Sequence, residues 1–457
     1  MKRFDLSDPR YGSSGRYAHR VNKYQRRRVV VVLLVIIIGI GIRFVTTISG
    51  PTLTPAQIAA KAERARNAVL SAKERVGIAR AKQLVNVMLP THEGASAPVT
   101  PSRLFVRPLS HHLVVGFVPY WTVPALAAAG QSSADITSTS ELIYSTVCVG
   151  KDASIITSTT GCSNAMAGLS LPSFGTFMQL AHANGDRVLL SVQTIDPVII
   201  HSLGVHAASL APKLEQNLYA LVSTYGFDGI NLDIEGRAVS DRAGYANFVR
   251  DFSRALKSAH PQMELMVDTY PQSAASASDF FDVAKLSRSV DQIFVMAYAM
   301  QNGKHSSANS PLGSTKLGWS AVQTLLQYRA LVSVDKIILG LPFYGLNFAT
   351  RTNRPGSTLV SDAPSARLYS DVLAAGRPAL WDVASATPYT VFRASDGWHQ
   401  DWYDNPVSLA LKTALAQVFH IAGVGAWAMT MEGSDVQMLS ALTGESTPKK
   451  LPIVLPG

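Results

Sequence analysis

The stretch Tyr225-Gly-Phe-Asp-Gly-Ile-Asn-Leu-Asp-Ile-Glu-Gly236 sets Asn231, Asp233 and Glu235 on alternate positions. A β-strand sends successive side chains to opposite faces, so these three share one face and Ile230, Leu232 and Ile234 share the other. A strand buried in a parallel sheet is ordinarily apolar on both sides. Burying two carboxylates side by side costs several kcal/mol unless they have partners. The row therefore marks a candidate site, the alternative being an edge strand with a solvated acidic face. Positions 233 and 235 have Cα atoms about 6.6 Å apart on a strand, close enough for their charges to couple. Paired carboxylates of this kind suit proton transfer to a bound substrate.

A row of acids needs a scaffold that points it inward. From about 110 onward, strand-like apolar runs alternate with helix-length segments: Leu113–Tyr120, Leu142–Val149, Arg187–Gln193, Gly229–Glu235, Glu264–Thr269, Gln292–Tyr298, Lys336–Phe343 and Gly423–Met429. Helical patterns such as Leu214–Tyr225 and Tyr245–Ala259 lie between most of them. That alternation predicts an α/β fold, a (β/α)8 TIM barrel. A doubly wound open sheet would instead want a glycine-rich phosphate turn after its first strand, and Gly116-Phe-Val-Pro-Tyr-Trp121 is not one. Barrel sites lie at the C-terminal strand ends. Here those ends carry Tyr120 and Trp121, Gln193, Asp233 and Glu235, Asp268 and Tyr270, Met296 and Tyr298, Phe343 and Tyr344, and Trp427 with Met429. Aromatic faces beside carboxylates suit a carbohydrate, whose rings offer apolar C–H faces for stacking. The connection after the seventh strand is too long for a structureless loop. It reads as a small α+β insertion over 346–402, between strand seven and the following helix, forming one wall of a cleft.

The net charge of +10 is concentrated at the N-terminus: residues 1–50 hold ten Lys/Arg against Asp5 and Asp8. The body is nearly neutral, so nothing points to nucleic acid. Residues 1–28 read as a basic cytoplasmic tail. Residues 29–48, with the unbroken apolar run Val29–Ile42, read as a membrane segment, either a retained signal anchor or a cleaved signal peptide. Either way the remainder is exported, as a single-pass protein with an extracytoplasmic body or as a secreted one. Residues 51–89 follow as an Ala-rich helical stalk that either self-associates or packs on the body, then a Pro/Ser linker over 90–111, the body over 112–447 and a short tail over 448–457. Cys148 and Cys162 are the sole cysteines. In an exported domain they are expected to form a disulfide, the alternative being two buried thiols. No His/Cys spacing points to a metal.

Asp228-Gly-Ile-Asn-Leu-Asp-Ile-Glu235 resembles the DxxDxDxE signature of glycoside hydrolase family 18. Further matches follow in order: Gly116-Phe-Val-Pro-Tyr-Trp121, Met296-Ala-Tyr298, Leu339-Gly-Leu-Pro-Phe-Tyr-Gly345, Trp402-Tyr-Asp-Asn-Pro406 and Gly425-Ala-Trp427. The pattern is most similar to the branch containing spore-cortex-lytic N-acetylglucosaminidases and chitobiases. The resemblance implies a retaining hydrolase of β-1,4-linked N-acetylglucosamine (GlcNAc) glycans that uses the substrate's own acetamido oxygen as nucleophile and no cofactor. Peptidoglycan is the favoured polymer and chitin or chito-oligosaccharide the next. The alternative is a lectin-like or scaffolding barrel that binds such glycans without cleaving them. By that resemblance Glu235 is the general acid, Asp233 orients the acetamide, Tyr298 holds its oxygen and Trp427 is the stacking floor. Asn231, Tyr120, Trp121, Tyr344, Tyr270 and Met296 are expected around the substrate, and Asp228 is expected to be structural. Three departures stand out. Asn231 replaces the middle Asp, Ser191-Val-Gln-Thr194 replaces S-x-G-G, and Ala299 stands where many relatives carry Asp.

Overall fold

The computed structural model describes residues 112–444, apart from 302, 314–318 and 361–362. The expected basic tail, membrane segment, stalk, linker and C-terminal tail lie outside the described residues. Among the described residues no helix is long and apolar enough to cross a membrane.

Seven parallel strands come first along the chain: β1 (Leu113–Pro119), β2 (Glu141–Val149), β3 (Arg187–Thr194), β4 (Gly229–Ile234), β5 (Glu264–Thr269), β6 (Gln292–Met296) and β7 (Ile337–Pro342). A five-stranded antiparallel sheet follows, made of β8 (Tyr344–Thr350), β9 (Ser365–Leu368), β10 (Leu380–Asp382), β11 (Thr387–Ala394) and β12 (Gly397–Trp402). The chain then returns through the helix Pro406–Val418 to β13 (Gly423–Trp427). β13 pairs in parallel with both β7 and β1, and β1 pairs with β2, which closes an eight-stranded barrel. Helices surround it, as the alternating pattern required. The helix Ala207–Tyr225 ends at Gly226, whose φ of 79° lies in the left-handed region that glycine adopts without strain. That turn feeds Phe227 and Asp228 directly into β4.

The barrel interior is filled in layers. Phe294 of β6 crosses the axis and meets Phe117 edge-on, with ring centroids 4.9 Å apart. Gly340 and Gly425 face it from β7 and β13, and a Cβ on either would overlap the Phe294 ring. The lower end is unexpectedly polar. Glu141, Glu264 and Gln292 each open their strand and are buried there. Arg187 pairs with Glu264 and reaches Glu141 at 3.2 Å, while Gln292 donates to Glu141 at 3.4 Å. Burial pushes the Glu141 carboxyl well up, and the nearby Glu264 charge adds to it. This end of the barrel is structural rather than functional in such folds.

The insertion has its own core. Trp402 stacks on Tyr389 at 4.6 Å and donates its indole N–H to Gln400 at 2.9 Å. Asp401 accepts from Asn347 at 2.7 Å and from Arg377 at 3.0 Å. The Trp402-Tyr-Asp-Asn-Pro406 segment then turns the chain back to the barrel. Asn405 and Ser408 cap the returning helix reciprocally, and Asp404 forms a buried ion pair with Lys412.

Candidate active site

β4 delivers the polar row to the barrel interior. Asn231, Asp233 and Glu235 are 0%, 1% and 5% exposed, which excludes a solvated edge strand. Burial on that scale demands partners. Gln193, level with Asp233 on the neighbouring β3, donates its amide to Asp233 Oδ2 at 2.7 Å. Asn231 donates Nδ2 to Asp268 Oδ1 on β5, also at 2.7 Å. Glu235 sits just past the strand, where its backbone N–H donates to the Thr194 carbonyl at 3.0 Å. Asp228 lies at the opposite end of β4. There it accepts from the Val188 amide at 2.8 Å and the His182 ring at 3.0 Å, tying β4 to β3.

The other expected residues lie at or just past the C-terminal ends of the barrel strands. Tyr298 is buried and meets Tyr344 edge-on at 6.0 Å. Trp427 lies 5.2 Å from Phe117; its carbonyl accepts from the Phe343 N–H at 2.8 Å, and two residues on the Met429 N–H donates to the Phe117 carbonyl at 2.9 Å. Tyr120 and Trp121 meet at 4.9 Å, with Trp121 half in solvent at 51% exposed. Tyr270 is mostly covered. Its hydroxyl donates to the Gly236 carbonyl at 3.2 Å, and the Arg237 guanidinium stacks 4.0 Å over its ring. Tyr270 thus braces the turn that follows Glu235. Met296 is buried as the last residue of β6. Met429, at the rim in sequence, packs inward against Gly116. Cys148 and Cys162 are joined, with Cα atoms 5.6 Å apart.

One residue with no sequence signal matters to this face. Asn309 is wholly buried and accepts from the Ala299 N–H at 2.8 Å while donating to the Tyr344 carbonyl at 3.1 Å. Ala299 follows Tyr298 and has a φ of 58°, a conformation that L-residues avoid unless held. Asn309 is therefore the clamp that fixes the backbone carrying Tyr298 against the one carrying Tyr344. Arg237 is the other addition, a cation two residues beyond Glu235.

Buried acids at the C-terminal end of a closed barrel, with aromatic side chains at the neighbouring strand ends, form an arrangement able to protonate a leaving group. Comparison with known proteins agrees. The family model described as glycosyl hydrolases family 18 matches residues 107–432. The uncharacterized glycosylase YvbX of Bacillus subtilis (strain 168) is 26% identical over 233 residues, covering 49% of this chain and 63% of that protein. Human di-N-acetylchitobiase is 25% identical over 279 residues, covering 55% of this chain and 68% of that one. Among solved structures, an immunomodulatory active chitinase from Trichuris suis superposes with a TM-score of 0.62 at 18% identity, over 73% of this chain and 99% of that one, a likeness that speaks to the fold alone. The match to the family model runs from the first strand of the barrel past the last and takes in the whole row of acids, so the chain belongs to the glycosyl hydrolases of family 18.

Proposed function

We propose that this chain hydrolyses β-1,4-linked GlcNAc glycans with retention of configuration, by substrate-assisted catalysis. The observation that carries the reading is the buried Asp233–Glu235 pair at the C-terminal end of β4, with Gln193 holding Asp233 by a 2.7 Å hydrogen bond. Family 18 is an exception to the two-carboxylate scheme, because the substrate's acetamido oxygen replaces the second carboxylate as nucleophile. In this reading Glu235 protonates the glycosidic oxygen. The acetamide oxygen closes on the anomeric carbon, and water then reopens the ring. Asp233 orients the acetamide N–H and offsets the developing positive charge. Tyr298 holds the acetamide oxygen, and Trp427 forms the floor under the reacting sugar.

Peptidoglycan is the favoured polymer, with chito-oligosaccharide second. Relatives named as a Bacillus glycosylase and as di-N-acetylchitobiase support the pair without deciding between them. The body works outside the cell membrane, tethered by the apolar segment at 29–48. The basic residues before that segment and the bonded cysteines of the body support this placement.

The test is Glu235→Gln, which keeps shape and removes the acid. Turnover of chito-oligosaccharides and of purified peptidoglycan, followed by mass spectrometry of the products, should fall roughly a hundred- to ten-thousandfold while glycan binding persists. A Glu235→Gln protein with wild-type turnover would refute the mechanism. A wild-type protein that binds these glycans and cleaves none would establish the lectin-like alternative.

A further inference from the structure

The middle position of the acidic row carries an amide, which leaves Asp233 without the carboxylate below it. The register of the barrel shows where a replacement stands. Gly229, Ile230, Asn231 and Leu232 pair with Glu264, Leu265, Met266 and Val267 in unbroken parallel register. One step further brings Asp233 level with Asp268, on strands about 4.8 Å apart. Both point inward, since Asp268 meets Asn231 from the same side. Asp268 is 2% exposed. One layer of the barrel thus carries Gln193, Asp233 and Asp268 side by side on β3, β4 and β5.

Both carboxylates accept from a side-chain amide, Asp233 from Gln193 and Asp268 from Asn231. The orientation of Asn231 follows from its partner, because a carboxylate accepts and cannot donate, so Nδ2 faces Asp268. Asn231 Oδ1 is buried with no hydrogen-bond partner among the described residues. The charges of Asp268 and Asp233 both reach the phenol of Tyr245, which packs in from the helix Arg242–Ala259. Among the described residues, the next titratable groups along these two strands are Glu235, just past β4, and Tyr270, just past β5. Two adjacent carboxylates shielded from water do not both ionise freely, and they bind and release protons as a pair.

We propose that Asp268 is a positioning residue for Asp233: the two form a proton-sharing pair across β4 and β5 that supplies, from the neighbouring strand, the inner carboxylate missing at position 231. The proposal rests on the catalytic reading above. As positive charge builds on the sugar, the proton leaves Asp233 and binds Asp268, so that Asp233 is fully charged when it is needed. The proton returns when the intermediate opens. Asn231 holds Asp268 in place through both states.

Two measurements test this. The first needs no turnover: carboxyl-carbon NMR of aspartate-labelled protein. Wild type should show two interdependent titration steps for Asp233 and Asp268, and Asp268→Asn should collapse the Asp233 profile to a single step. Independent single-step titration of both groups in wild type would overturn the proposal. The second is kinetic. Asp268→Asn should lower kcat roughly 10- to 100-fold with KM within about threefold, and should shift the acid limb of the pH profile. The double variant Asn231→Asp with Asp268→Asn moves the carboxylate from β5 to β4 and should recover most of kcat. Wild-type kcat and pH profile in Asp268→Asn, or a double variant no better than the single one in protein that melts normally, would also overturn it. Full turnover by Glu235→Gln would instead refute the catalytic reading and leave the NMR result to decide the pairing.

Discussion

Replacing Asn309 by Ala is the sharpest probe of how the fold positions Tyr298. The side chain makes two hydrogen bonds from a fully buried position, one from the Ala299 N–H and one to the Tyr344 carbonyl. A buried group left unpaired costs about 1–3 kcal/mol. Tyr344 is buried and meets that cost in full, whereas Ala299 is half-exposed and its N–H regains some water. The loss is about 2–4 kcal/mol. Against it, Ala299 is released from its left-handed conformation, which returns about 1 kcal/mol. The net destabilisation is about 1–3 kcal/mol, read as a shift of the urea midpoint at unchanged slope. The effect on rate is larger than that on stability, because a displacement of about 1 Å at a positioning group costs on the order of a hundredfold. We expect kcat on a chito-oligosaccharide to fall 10- to 100-fold. Adding Ala299→Gly to Asn309→Ala should leave the rate unrestored, because the lost clamp and not the backbone conformation sets the position of Tyr298. An Asn309→Ala protein within about 0.5 kcal/mol and twofold in kcat of wild type would refute the clamp.

Two further outcomes concern stability. Removing the Cys148–Cys162 bond, which spans 14 residues, should cost about 3 kcal/mol in the chain-entropy account, measured by urea unfolding of the double Ser variant; an unchanged midpoint would count against it. Glu432 is buried near Asp135 and Asp435, and burial first, then Asp135, holds its carboxyl well above the ordinary 4.5. Its folded value is raised, so its contribution to stability is fully present below about pH 4.5 and is lost as pH rises toward the folded value. Melting temperature should therefore fall more steeply with rising pH in wild type than in Glu432→Gln, and parallel curves would refute the assignment.

The sequence made some of this legible for definite reasons. The alternation of Ile230, Leu232 and Ile234 with Asn231, Asp233 and Glu235 is a property of one strand, so it could be read without knowing any neighbour. The count of strands and the length of the segment after β7 were likewise local, and they yielded the barrel and its inserted sheet. Strand ends were less exact. β6 stops at Met296 instead of running to Tyr298, because Ala297 N–H turns to the carbonyls of Val295 and Gly340 and Ala299 breaks the extended path. The polar end formed by Glu141, Glu264 and Gln292 was invisible for another reason. Each is a single polar residue opening an apolar run, and only closure of the barrel brings them to Arg187. Asn309 belongs to a stretch without periodicity. Its role is defined by Ala299 and Tyr344, separated from it by 10 and 35 positions.

The three departures from the family pattern belong together once the contacts are known. Gln193, in the strand that lacks the usual glycines, is the residue that donates to Asp233. Asn231, in place of the middle Asp, is the residue that reaches Asp268. Ala299, in place of Asp after Tyr298, is the residue that Asn309 holds. Each change alters a contact of the acidic row or of Tyr298, and none falls on the distant polar end of the barrel. Gln193 and Asn231 also act in opposite directions on neighbouring groups: one brings an amide donor to Asp233, and the other removes a charge below it and hands its donor to Asp268. The net effect preserves a buried layer with two carboxylates and two amide donors while moving one carboxylate to the next strand. A single reversion at Asn231 should therefore crowd three carboxylates into that layer. Asn231→Asp alone is expected to lower both stability and activity, and it should recover when Asp268 is neutralised in the same chain.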